Sequence, residues 1–128
     1  MIIIALIFLS STSLALANNY EEITVNEIVS IYDADTFRVN IEGYPALIGA
    51  NMPIRVKGVD APEIRGKCES EKMAAQKAKE FTEKMLRSAK LIELRNIERG
   101  KYFRILADVF TDGESLASEL ISFGHARY

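Results

Sequence analysis

One cysteine and one histidine stand among 128 residues. A single thiol, Cys68, excludes an intrachain disulfide. With His125 it leaves too few soft ligands for a zinc site. The expectation for Cys68 is a small buried side chain, and for His125 a place at the surface. Long apolar runs are equally scarce. Only the first residues form one, and no later segment is apolar enough to cross a bilayer, which takes roughly 20 such residues. An excess of positive charge is missing too. The formal net charge is -2, which by bulk charge alone speaks mildly against a polyanionic partner. Internal repeats and low-complexity segments are absent.

The apolar start, Met1 to Leu9, leads through Ser10-Ser11-Thr12-Ser13 to Ala15-Leu16-Ala17, ahead of polar Asn18 and Asn19. This is the pattern of a secretory signal peptide cleaved after Ala17. No Lys or Arg precedes the apolar core, so only the α-amino group is positive there. An uncleaved anchor is the other reading, but the stretch is short for a membrane span. The organisation expected is a signal peptide at 1–17 and one domain at 18–128. The mature chain is then exported to periplasm or medium, with no membrane attachment after cleavage. No obligate protein partner is evident, and a monomer is expected.

Apolar periodicity orders the rest. Ile23, Val25, Ile28, Val29 and Ile31 make a β-branched run, which predicts a strand interrupted by a turn at Asp33-Ala34-Asp35. Phe37, Val39 and Ile41 alternate with polar residues, as do Ile54, Val56 and Arg55, Lys57. Gly43, Pro45 and Gly49 mark 42–51 as a loop. Pro53 and Pro62 suit the boundaries of the strand at 54–59. From Glu69 to Lys90 there is no Gly or Pro, and Ala74, Ala78, Phe81 and Met85, flanked by Met73 and Leu86, form the apolar stripe of a helix. Strands are expected over 91–97 and 102–110, with a turn around Glu98-Arg99-Gly100. Asp112-Gly113 is a further turn, and Leu116, Leu120 and Phe123 fit a short helix ended by Gly124. The order β-β-β-α-β-β-α predicts a mainly β fold with α. Its expected form is a five-stranded OB-fold barrel with a helix after strand 3 and a short C-terminal helix. Closure would protect such short strands from open edges. An open α+β sandwich has the same element order.

The residues that carry chemistry lie at the strand ends. Asp33 and Asp35, two apart, share one face of an extended chain and could converge on one cation; acidic turns of this kind are also common as solvated caps. An EF-hand is excluded, because its further ligands and closing Glu are missing. Asp60-Ala61-Pro62-Glu63 is a second acidic turn, in which Pro62 restricts both its own backbone and that of Ala61. Arg55 precedes it by five residues, facing opposite to Ile54. Arg104 follows in Lys101-Tyr102-Phe103-Arg104. Taken singly, each arginine could be a surface salt bridge. Together, carboxylates able to hold a hard cation and forked cations able to grip a phosphate suggest metal-assisted phosphodiester cleavage. The Lys/Arg excess over 84–104 fits either a polyanion-facing stripe or a solvated helix face and strand edge.

Asp33-Ala34-Asp35-Thr36, Ile54-Arg55-Val56-Lys57-Gly58-Val59-Asp60-Ala61-Pro62-Glu63 and Lys101-Tyr102-Phe103-Arg104 resemble, in order and spacing, the motifs of the thermonuclease family, the staphylococcal-nuclease-like domains. The second motif is the specific one, and the resemblance covers the chain after residue 17. It implies an OB-fold barrel that hydrolyses DNA and RNA with Ca²⁺. Asp35 and Asp60 would bind Ca²⁺ through carboxylates and Ala61 through its carbonyl. Glu63 would be the general base or orient the attacking water. Arg55 and Arg104 would hold the scissile phosphate, and Lys101 and Tyr102 would contact a neighbouring one. Single-stranded substrate would be preferred. The alternative is a nuclease-like module that binds nucleic acid or protein without cutting. Three departures stand out. Ala34 occupies a position usually held by Gly, and would be strained there if the backbone needs positive φ. Ala61 replaces a frequent Thr, which a backbone ligand tolerates. The segment after Glu63 is short, with only Arg65 and Lys67 as basic residues.

Overall fold

Alternation builds the sheet. The structure, a computed structural model, describes residues 22–128; the segment read as a signal peptide lies outside the described residues. In β3 (Thr36–Asn40) Phe37 and Val39 are buried while Arg38 faces solvent. In β4 (Met52–Val56) Met52, Ile54 and Val56 point inward. The remaining strands are β1 (Ile23–Thr24), β2 (Glu27–Asp33), β5 (Ile92–Arg99), β6 (Ile105–Thr111) and β7 (Glu114–Ser115). They join as β1-β5-β6-β4-β3-β2, with β7 added to β6. Among the described strands only the β4–β6 pair is parallel.

The two ends of that path, β1 and β2, are consecutive in the chain and separated only by Val25 and Asn26. The Val25 N–H donates to Ile92 O at 2.9 Å, and the Asn26 N–H to Asn40 O at 3.2 Å. One extended segment therefore ties both edges together, and the sheet curls into an OB-like barrel. The fold is mainly β with α, as expected, but the described residues hold seven strands rather than five. The switch of partner at Val25-Asn26 splits the first run in two. After the Asp112-Gly113 turn (φ 49° and 83°) a two-residue strand pairs back onto β6, the left-handed turn a tight hairpin requires.

Inside the barrel Phe37, Ile54, Leu94 and Val109 are fully buried, and Leu116 and Leu120 of α3 (Leu116–Ser122) close one side. Each such side chain contributes about 1.5–3 kcal/mol by leaving water. Helix α2 (Glu69–Ser88) covers another side, but with a different stripe from the one expected. Ala75, Ala78, Thr82 and Leu86 are buried, Phe81 and Met85 are half-buried, and Ala74 and Met73 are exposed. Small residues at 75 and 78 let the helix approach closely. Thr82 is buried because its hydroxyl donates to Ala34 O at 2.7 Å, a partner that apolar periodicity does not reveal.

Other expectations are corrected locally. Cys68 is exposed, not buried, because it is the extended residue just before α2 and points outward at the helix start. The loop at 42–51 contains a one-turn helix, α1 (Ala46–Gly49), begun at Pro45. Gly49 is required there, since a Cβ would meet Ile41 O at 2.5 Å. Pro53 lies within β4, not before it, and β4 ends at Val56, where Gly58 (φ +76°) turns the chain. The expected turn around Glu98 falls later. β5 runs on to Arg99 through a register shift between Arg95 and Glu98, and Lys101–Phe103 forms a tight turn with left-handed backbone at Tyr102 and Phe103.

Candidate active site

The Asp33–Asp35 turn sits under α2 with both carboxyls buried. The Asp35 N–H donates to Asp33 Oδ1 at 3.3 Å, and Thr36 Oγ1 donates to Asp35 Oδ1 at 3.3 Å. On its far side, Asp35 Oδ2 accepts the Ala61 N–H at 3.0 Å and pairs with Arg55 Nη1. These contacts separate the two acids. Burial, followed by the neighbouring Asp35 carboxylate, pushes Asp33 up to about 7. Burial also raises Asp35, but hydrogen bonds from Asp33 and the Ala61 amide, together with Arg55, outweigh it and hold Asp35 below the ordinary carboxylate range. Asp35 is thus a buried carboxylate kept ionised, while Asp33 keeps its proton up to about pH 7. Ala34 between them is not in the left-handed region, so the feared strain is absent. Its methyl group is fully buried and its carbonyl is held by Thr82.

Arg55 joins the two acidic turns. It stands on the outer face of β4, opposite buried Ile54, as alternation requires. Its Nη2 lies 3.6 Å from Asp60 Oδ1 and donates to Val59 O at 3.4 Å. Asp60 is reached because Gly58 reverses the chain after β4. The Asp60 turn is pinned by a residue that sequence reading missed, Arg127. The Asp60 N–H donates to Arg127 O at 2.8 Å, and the Arg127 N–H donates to Asp60 O at 3.1 Å. Arg127 Nη2 also lies 3.8 Å from Asp60 Oδ2. The local signal for this was slight. Gly124 (φ +74°) ends α3 with a turn, in which His125 N–H donates to Leu120 O at 2.8 Å. That turn sends the chain back along Asp60.

Glu63 is exposed and lines a cleft of about 430 Å³ with Asp60, Ala61, Glu71, His125 and Arg127. His125 is half-buried rather than free at the surface, its ring 4.9 Å from that of Phe81. Arg104 lies apart from this cleft. It just precedes β6, and Leu106, two residues on, is the register partner of Arg55. Arg104 and Arg55 therefore share the outer face of the sheet, offset by roughly 7 Å along the strands. Among the described residues Arg104 Nε is buried without a hydrogen-bond partner. Lys101 and Tyr102 are exposed on the turn before it, rather than on a strand. Of the wider basic stretch, Arg87 is spent on Glu83, and Arg95 on Glu22, Glu93 and the Phe110 ring. Among the described residues Arg99, Lys101 and Arg104 form no salt bridge, and neither do Lys84 and Lys90.

The donors offered by Asp35, Asp60 and the Ala61 carbonyl are all oxygen, the chemistry of a hard divalent cation rather than zinc. No group of three or more His, Cys, Asp or Glu side chains able to hold an ion occurs among the described residues. A cation here would therefore use two carboxylates completed by backbone or water oxygens. Asp35 and Asp60 have the oxygen chemistry for such an ion, and in this structure both carboxylates are engaged by the Arg55 guanidinium.

The sequence model of the family described as "Staphylococcal nuclease homologue" matches residues 53–128, more than half of the chain. The matched span contains Arg55, Asp60, Glu63, Arg104 and Arg127. Asp35 precedes it and joins the same cluster through Arg55 and Ala61. The chain is a nuclease-like domain and belongs to the staphylococcal nuclease homologue family.

Proposed function

We propose that this protein is an exported Ca²⁺-dependent nuclease that hydrolyses phosphodiester bonds of DNA and RNA, preferring single strands. The observation that carries this reading is the cluster in which Arg55 meets the carboxylates of Asp35 and Asp60, with Glu63 in the adjoining cleft. Family membership and the all-oxygen donor set support it. Export rests on the amino-terminal sequence pattern.

In this reading Asp35, Asp60 and the Ala61 carbonyl hold the cation. When bound, Ca²⁺ supplies positive charge beside the phosphoryl oxygens and water of lowered pKa. Glu63 takes a proton from the attacking water, whose oxygen bonds to phosphorus. The opposite ester P–O bond breaks, and the departing oxygen leaves protonated by solvent. Arg55 and Arg104 hold the phosphate for in-line attack and stabilise the added negative charge of the crowded phosphorus species. Lys101 and Tyr102, exposed beside Arg104, steady the next phosphate. Single strands suit this surface, because their bases can splay onto exposed aromatic side chains.

Purified protein incubated with denatured DNA in Ca²⁺ or in excess chelator tests the reading. Cleavage in Ca²⁺ that stops in chelator is expected. Retained binding with no cleavage in Ca²⁺ would identify the non-catalytic module instead.

A further inference from the structure

We propose that the groove between α1 and the Lys101–Phe103 turn is a subsite for a nucleobase of the bound strand, adjoining the phosphate held by Arg104. This rests on the nucleic-acid reading above and adds a specificity element to it. The groove measures about 580 Å³, and its walls include Tyr44, Ile48, Met52, Phe103, Arg104 and Ile105. Tyr44, Ile48 and Phe103 are each more than two-fifths exposed. They lie in one patch, where apolar surface is costly to leave open unless something covers it.

Its construction is unusual. Tyr102 and Phe103 both adopt left-handed backbone (φ 57° and 58°), a conformation bulky residues seldom take. Gly100 closes this turn, its N–H donating to Arg104 O at 2.7 Å, and a Cβ on Gly100 would crowd Arg104 Cγ at 3.1 Å. The turn places the Phe103 ring at the groove and Arg104 in its wall. Across from it, α1 supplies Ile48, with Tyr44 just before. Both belong to the segment whose sequence reads as a plain loop.

Charge selects the occupant. The Arg99 guanidinium lies 5.1 Å from the centre of the Phe103 ring, and Arg104 Nε is buried and unpartnered. The one carboxylate among the described residues of the wall, Glu98, is occupied by Lys57 at 3.0 Å. A flat aromatic group joined to an anion matches aromatic walls with cationic edges; an uncharged apolar peptide would leave the arginines unused. The groove is continuous with Arg104, so the fitting ligand is the base attached to the phosphate that Arg104 grips.

The test uses the full chain and its Tyr44→Ala/Ile48→Ala double variant, with a matching thermal midpoint and circular dichroism spectrum required of both. The probes are short single-stranded oligonucleotides carrying one abasic position walked past the cleaved bond. For the unaltered protein kcat/KM should fall about tenfold when the missing base is at one particular position. The double variant should lose about tenfold on intact oligonucleotide and be indifferent to that gap. Equal sensitivity of both proteins at every position, or no sensitivity in either, overturns the subsite. If neither protein cleaves in Ca²⁺, the nuclease reading fails separately. The same contrast is then read as Kd by fluorescence anisotropy in chelator, where equal affinities of the two proteins for intact and abasic strands overturn the subsite.

Discussion

Asp33 and Asp35 are two residues apart and similarly hidden, yet they titrate in opposite directions. Between the ordinary carboxyl range and about 7, the folded chain keeps a proton on Asp33 that the unfolded chain has released. Stability from this group is present at low pH and is lost as pH rises towards and through 7. Asp35 works the other way: its contribution is present above the ordinary range and is lost as acid protonates it. Asn imitates the protonated form of Asp33. Asp33→Asn should therefore gain on the parent protein between about pH 4 and pH 7, each unit being worth up to roughly 1.4 kcal/mol, and level off above that. Urea unfolding in chelator at several pH values measures this. Parallel pH profiles for the two proteins would show that Asp33 does not hold its proton. The D-x-D pattern in the sequence marked both acids. It did not reveal which would be neutral, because that depends on Arg55 and the Ala61 amide arriving from another part of the chain.

At the scale of elements, the Asp60 turn is held from outside by the segment after α3. Two kinds of contact do this, and their magnitudes differ. The side-chain pair between Arg127 and Asp60 is largely exposed, and such pairs are worth about 0–1 kcal/mol. The paired backbone hydrogen bonds at 2.8 and 3.1 Å fix where the turn sits. Arg127→Ala should therefore change turnover by no more than about fivefold by this weak-pair estimate. Arg127→Pro removes the N–H that donates to Asp60 O, and loss of a support behind a ligating group typically costs about 10–100-fold. Steady-state rates with Ca²⁺ titrated over each variant make the comparison. An equally large loss in Arg127→Ala and Arg127→Pro would place the weight on the side chain, which both variants lack. The main strands were legible because alternation reports a half-buried sheet directly. The facing of α2 was not. Ala74 and Ala75 are both small and apolar, and the choice between them is made by the Thr82 hydroxyl reaching the carbonyl of Ala34, 48 residues away in sequence.

For the whole molecule, curling the sheet does two things at once. It anchors the two ends of the sheet, β1 and β2, through one short segment, Val25-Asn26, bonded to Ile92 on one side and Asn40 on the other. It also sets two separated stretches of sequence, 33–36 and 54–63, against each other through Arg55, with 101–104 further along the same sheet. Net charge is -2, so attraction for an anionic strand has to be local. Among the described residues the arginines and lysine at 99–104 form no salt bridge, whereas Arg87 and Arg95 are paired internally. The motifs made this gathering readable in outline, but Arg127 and α1 came only with the fold. Arg127 enters because the chain reverses after Gly124, and α1 because Gly49 packs against the Ile41 carbonyl. The central claim is that the acids and guanidiniums assembled here cut a phosphodiester bond. The most direct test is the single-turnover cleavage rate of denatured DNA in saturating Ca²⁺ for Glu63→Gln, with the fold verified by its thermal midpoint. Loss of a positioned proton acceptor should slow the rate about 10²–10⁴-fold with binding unchanged. An unaltered rate in a folded Glu63→Gln protein would contradict the assignment.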